Sequence, residues 1–181
     1  TGYISQVYRV SQNLQRMELH PEERLTASVA IYNCKRKEVW MIGDCQAIVD
    51  RVYYNNDKPD EAIIAAKRAQ LIKQGVGPKE ARRLIEPMLV RSVIGGQNKN
   101  YAVVDGFPVF MQGVIVIPVH SEVILASDGY PFLRPTLAES EATLSQQLRD
   151  DPQNIHTLLA TKGMKEGNGS FDDRAFIRFT V

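Results

Sequence analysis

The chain has 181 residues, 44% of them hydrophobic and 24% charged. That is enough for a single packed domain spanning residues 1–181, and it excludes wholesale disorder. Twenty-two basic residues against 21 acidic ones leave a formal charge of +1. That balance speaks against a nucleic-acid clamp or a polybasic membrane anchor, and no apolar run approaches the roughly 18 residues that span a bilayer.

Tyr3 to Leu19 places Tyr3, Val7, Val10, Leu14 and Met17 mostly three or four residues apart, which predicts an amphipathic helix ended by His20-Pro21. Leu25 to Cys34 is rich in β-branched and small apolar residues and reads as a buried strand. Glu38 to Ile42 reads as its antiparallel neighbour. After Gly43-Asp44, Gln46 to Tyr53 continues extended.

Asn55 to Pro59 is a loop, and Asp60 is placed to cap a helix marked by Ile63, Ile64, Ala66, Ala69, Leu71 and Ile72. Gly75 to Pro78 interrupts it. A second helix follows with Ala81, Leu84, Ile85 and Met88 on its apolar side and Pro87 as a kink or boundary. Gly95 to Asn100 is turn chemistry. Tyr101 to Val104, Gly113 to Val119 and Glu122 to Ala126 read as extended, Leu137 to Leu148 and Pro152 to Ala160 as a helix pair. Gly163 to Ser170 reads as a Gly-rich loop, and Arg174 to Val181 as a closing strand. Locally paired strands alternating with paired helices favour an α+β layered architecture over a doubly wound sheet.

Two cysteines, Cys34 and Cys45, are too few for a disulfide framework or a thiolate zinc site, and they read as buried inert thiols in a reducing, cytoplasmic interior. His20, His120 and His156 lack ligand spacing and read as loop or surface residues. Lys67, Arg68, Arg82 and Arg83 read as solvated helix faces, and Trp40 and Tyr53 as core or rim. The chain opens Thr-Gly with neither an initiator Met nor a signal peptide, so a trimmed piece of something longer is expected. A catalytic N-terminal Thr1 would need a strand behind it, and the segment that follows reads as a helix.

The acidic residues carry the chemistry. Asp44 follows Ile42-Gly43, Asp128 follows Ala126-Ser127 and precedes Gly129, and Asp172-Asp173 stands just before the last strand. Carboxylates at the ends of buried strands project to the rim of a sheet, where several converging oxygens suit Mg²⁺ or Mn²⁺. The bland alternative is that each marks a turn.

Segment 38–49, EVWMIGDCQAIV, resembles the strand-Gly-Asp-Ser-Arg-strand segment of the metal-dependent type 2C protein phosphatases. Segment 123–129, VILASDG, resembles their hydrophobic-Ser-Asp-Gly motif; 172–177, DDRAFI, resembles their closing Asp-Asn-x-Thr-x-Ile strand; and 88–95, MLVRSVIG, resembles a helix end running into a Leu-Gly turn. The four stand in family order.

The resemblance implies a four-layer αββα sandwich of two antiparallel sheets flanked by helix pairs, with a two-metal Mg²⁺ or Mn²⁺ site at one end. It implies Asp128 and Asp172 as ligands, Gly129 beside them, and Asp44 at a looser third ion. The implied reaction is hydrolysis of phosphoserine or phosphothreonine by a metal-activated water, on a phosphoprotein substrate. Departures count as much. The family's opening Asp-Gly-x-Gly-Gly loop, whose Asp bridges both metals, and its phosphate-holding Arg are not in these residues. Asp105-Gly106 falls in the wrong order, and Phe132 stands where the family often has Asp. Cys45, Gln46 and Ala175 replace the usual Ser, Arg and Thr. The two expectations are therefore an enzyme if the bridging ligand is supplied, and a phosphatase-like binding or regulatory module with a signalling partner if it is not.

Overall fold

The computed structural model describes residues 2–181; Thr1, and the idea attached to it, lie outside the described residues. The architecture is α+β with two antiparallel sheets, as expected. One sheet runs β1-β2-β5, from Val29–Asn33, Glu38–Ile42 and Ile115–Pro118; the other runs β4-β3-β6-β7, from Val52–Asn55, Gln46–Val49, Glu122–Ala126 and Phe176–Thr180.

Alternation explains why they stack. Val39, Met41, Ile117 and Val119 point from the first sheet into a core shared with Cys45, Ala47, Val49 and Val123 of the second. Fully burying side chains of this size contributes about 1.5–3 kcal/mol each. The opposite face of the second sheet buries Ile48, Ile124 and Ala126 beneath Tyr130, Leu133 and Phe176. The outer face of the first sheet carries the cross-strand row Ile31, Trp40 and Val116, of which Ile31 and Val116 are exposed and Trp40 half-buried. Among the described residues, β1 and β5 each pair along one edge only.

Several expected elements differ, each for a local reason. The first helix is two, α1 (Gly2–Val10) and α2 (Leu14–Leu19), because Gln12 adopts a positive φ of 57°. The first strand is confined to Val29–Asn33 and is an edge strand, half-buried rather than buried. Gln46 to Tyr53 is a hairpin turning at Asp50 and Arg51, which have φ of 49° and 72°. Asp50 holds that turn by accepting backbone N–H bonds from His120, Ser121 and Glu122 at 2.8, 2.8 and 3.0 Å. These bonds keep its carboxyl well below the usual range. Tyr101 to Val104 is not a strand but makes isolated bridges, one of them from Val104 to Ala27.

Helices α3 (Glu61–Lys73) and α4 (Pro78–Gly96) pack as a pair. Asp60 stands at the cap of α3 without a side-chain bond to it. The second helix runs through Pro87 and takes in Gly95 and Gly96, so Pro87 is not a boundary. Helix α5 (Leu137–Asp150) starts in a capping box between Thr136 and Glu139. Its expected partner, Pro152 to Ala160, is irregular chain. Asp151 accepts from the N–H groups of Ile155, His156 and Thr157, offering those donors an alternative to a helix.

The three histidines are exposed, as expected. Cys45 is buried, and burial pushes its thiol up to about 11, which makes it inert; Cys34 is exposed, because it follows an edge strand. Arg68 is 2% exposed rather than on a solvated face, since it turns inward to donate to the Gln153 and Ala160 carbonyls.

Candidate functional site

Strand register puts the three expected carboxylates at one end of the second sheet. Gln46 pairs with Ala126, and Ala126 with Phe176. Asp44 and Asp128 therefore each lie two residues beyond one rung, and Asp172 four residues before its partner.

Local chemistry fixes each one. Gly43 turns the chain out of β2 with a φ of 80°, and any Cβ there would strike Ser28. Asp44 is thereby set against Ser28, whose hydroxyl donates to the Asp44 carboxylate and accepts from the Asp44 N–H at 3.2 Å. Lys58, from the loop before α3, donates to the other Asp44 oxygen at 2.5 Å. Burial alone would raise Asp44, but the Lys58 charge and these bonds outweigh it and hold the carboxyl low.

Asp128 ends β6. Its neighbours stitch that end to the segment before β7: Ser127 N donates to Ala175 O at 3.2 Å, and Ala175 N donates to the Ser127 hydroxyl at 3.0 Å. Gly129 lies directly against the Asp173 carbonyl. The backbone segments of Asp128 and Asp172 thus run side by side, although Asp172 lines a separate cavity with Tyr130, Glu141, Asp173 and Arg174. Lys162 completes the rim through an ion pair with Asp172.

The Asp128 carboxylate reaches solvent, yet protein crowds it on its other sides. That lost hydration, and then the Asp44 charge, raise its pKa, partly offset by Lys162 and Lys58. Burial likewise raises nearby Glu61. The rim opens on a cavity of about 860 Å³ lined in part by Asp44, Lys58, Glu61, Asp128, Phe132 and Lys162.

Gln46 ties this end of the sheet together. Its Nε2 donates to the Ser127 and Tyr130 carbonyls at 3.1 and 2.7 Å, and its Oε1 accepts from the Tyr53 hydroxyl at 2.9 Å. Sequence reasoning missed this role, and it missed Lys58 and Lys162, which it did not single out. Asp105 lies apart, buried in a pair with Arg24.

The donors suit Mg²⁺ or Mn²⁺ in kind, being carboxylate oxygens short of positive charge, but not in number. Among the described residues no group of three or more His, Cys, Asp or Glu could hold one ion. The nearest cations are two ammonium groups. These residues therefore do not make a two-metal centre by themselves.

Gly129→Ala is expected to lower stability by about 1–3 kcal/mol, because the added methyl must push the Asp173 backbone away. Urea unfolding of the variant measures it; an unchanged midpoint would show that the two segments are not in contact.

No protein-family model matches the sequence, and no curated protein matches it. Among solved structures the chain is similar to the crystal structure of the Mycobacterium tuberculosis serine/threonine phosphatase PstP/Ppp, at 18% identity and a TM-score of 0.34. The alignment covers 80% of this chain and 54% of that one, so the chain spans about half the phosphatase's length. A likeness this distant adds no weight to the reading of the site. Among the described residues no helix is long and apolar enough to cross a membrane.

Proposed function

We propose that the chain carries part of the carboxylate end of a metal-dependent protein serine/threonine phosphatase, and that the remaining ligands come from outside these residues. The observation that supports this is that Asp44 and Asp128 line one open cavity, while strand register brings Asp172 to the same end of the sheet. Bound Mg²⁺ or Mn²⁺ would supply Lewis acidity and an activated water. Asp128 and Asp172 are the residues that would hold it, with Asp44 at the rim's other side and Gly129 giving Asp128 its close approach to the Asp173 backbone. The substrate class is a phosphoserine or phosphothreonine protein.

A second reading has its own observation. Lys58 and Lys162 already neutralise Asp44 and Asp172, which favours a phosphatase-like module that binds a signalling partner without hydrolysis. Calorimetric titration with Mn²⁺ and turnover of a chromogenic phosphate ester separate the two. The chain as given is expected to bind Mn²⁺ weakly and turn over little. The protein extended by its natural flanking sequence is expected to bind two ions tightly and hydrolyse the ester. An extended protein that does neither overturns the phosphatase reading in favour of the module.

A further inference from the structure

We infer that the cavity walled by the Gly-rich loop is a binding site for a basic side chain, a guanidinium or ammonium carried on an aliphatic stem. This cavity is separate from the one that Asp44 and Asp128 line, with Tyr130 alone in common, so neither reading needs the other.

Three observations carry it. The first is room beside an apolar surface. The cavity measures about 950 Å³, within the range of small-ligand sites. Residues 167–170 form one wall, and Leu137 and Phe176 lie among the other lining residues. Leu137 opens α5 and is 49% exposed despite its size. An alkyl stem laid against it would take that surface out of water.

Ser170 is the second. It belongs to the cavity wall, is only 8% exposed, and its hydroxyl oxygen is buried without a hydrogen-bond partner. Buried hydroxyls are nearly always bonded, because an unmade bond leaves the group desolvated and uncompensated. Shielded from bulk water, this one is completed by a polar group that enters from the cavity side.

The third is the charge balance. Glu141 is already satisfied: its two oxygens accept from Arg174 Nε and Nη2 at 2.8 and 3.0 Å, and one of them from the Tyr130 hydroxyl at 2.7 Å. Asp172 is paired with Lys162. Asp173 remains. Among the described residues no side chain donates to its carboxylate, and it is exposed. The lining is therefore left with one uncompensated negative charge, which repels an anion and attracts a cation. A basic side chain answers all three features. Its N–H groups donate to the Asp173 carboxylate and the Ser170 hydroxyl, while its stem covers Leu137.

The test is NMR titration of the 181-residue chain with n-butylguanidine and with n-butylurea, its neutral isostere, repeated on Ser170→Ala and Asp173→Asn. Butylguanidine is expected to bind and to shift the amide signals of residues 167–173, with butylurea at least about tenfold weaker. Each variant is expected to weaken butylguanidine binding at least about tenfold, the effect of losing one hydrogen bond to a charged group. Ser170→Ala is also expected to melt at or above the parent temperature, because it removes a hydroxyl that the fold leaves unpartnered. A lower melting temperature, or a failure to fold, would show that hydroxyl to be bonded within the fold and overturns the inference. Asp173→Asn tests the charge independently of that result. No binding of butylguanidine, equal binding of butylurea, or unchanged affinity in either variant overturns it as well.

Discussion

Asp105→Ala is expected to destabilise the protein by about 3–5 kcal/mol, the range for breaking a buried ion pair from one side. Asp105 has no exposed surface, and its carboxylate accepts from Arg24 Nη1 at 2.7 Å, Gln97 Nε2 at 2.9 Å and the Phe107 N–H at 3.0 Å. Removing it strands a guanidinium whose own exposure is 9%. Arg24 also donates to the Met17 and Glu18 carbonyls at 2.6 and 3.0 Å and lies 3.9 Å over the Phe107 ring. The loss should therefore reach α2 as well. Burial would raise the Asp105 carboxyl, but Gln97, Arg24 and the Phe107 N–H together hold it below the usual value. An acid bound more weakly to its proton when folded stabilises the fold above its unfolded pKa of about 3.9, and that stabilisation is lost as pH falls through the lower folded value. Urea midpoints of parent and variant should hence differ most near neutrality and converge in acid. Equal midpoints at pH 7 would remove the pair from any stabilising role.

Asp128→Asn is expected to abolish Mn²⁺ binding and ester turnover in the extended protein while leaving the melting temperature at pH 7 unchanged or higher. Crowding and then the Asp44 charge raise its pKa in the fold. For an acid that shift means the charged form is disfavoured by folding, a cost present at neutral pH and relieved as pH falls below the folded value. Asparagine has nearly the same volume and no charge, so it relieves the cost and removes the ligand together. Opposed effects on stability and activity mark a residue kept for function. A melting point several degrees lower, or retained turnover, would contradict this.

That Asp44 and Asp128 stand at one end of the sheet was legible because Gly-Asp and Ser-Asp-Gly interrupt apolar runs long enough to be strands, and antiparallel neighbours bring such interruptions to a common end. The register that unites Gln46, Ala126 and Phe176 has no local signature, but the order of the segments implied it. Lys58 and Lys162 were not legible: a lysine in a loop looks alike whether it meets water or a carboxylate 14 or 10 residues away. The same limit hid Arg68, whose helical neighbours gave no sign that it turns inward. The segment from Pro152 to Ala160 reads as helical by composition, and only the folded chain shows Asp151 capturing the N–H groups that a helix would need. Asp105 was set aside because its Asp-Gly pair falls in the wrong order for the phosphatase pattern. Burial gave it a structural role that order could not reveal.

Among the described residues, the first sheet leaves the outer edges of both flanking strands without a strand partner. Val29 to Asn33 and Ile115 to Pro118 carry no charged residue to repel a newcomer, and only Pro118 blunts one of them. Such borders are docking templates for another extended segment, whether a stretch of the same polypeptide or a sister molecule. Preparations of these residues alone should accordingly tend toward lateral association as concentration rises, and charged substitutions at Ile31 or Val116 are the simplest way to keep them dispersed.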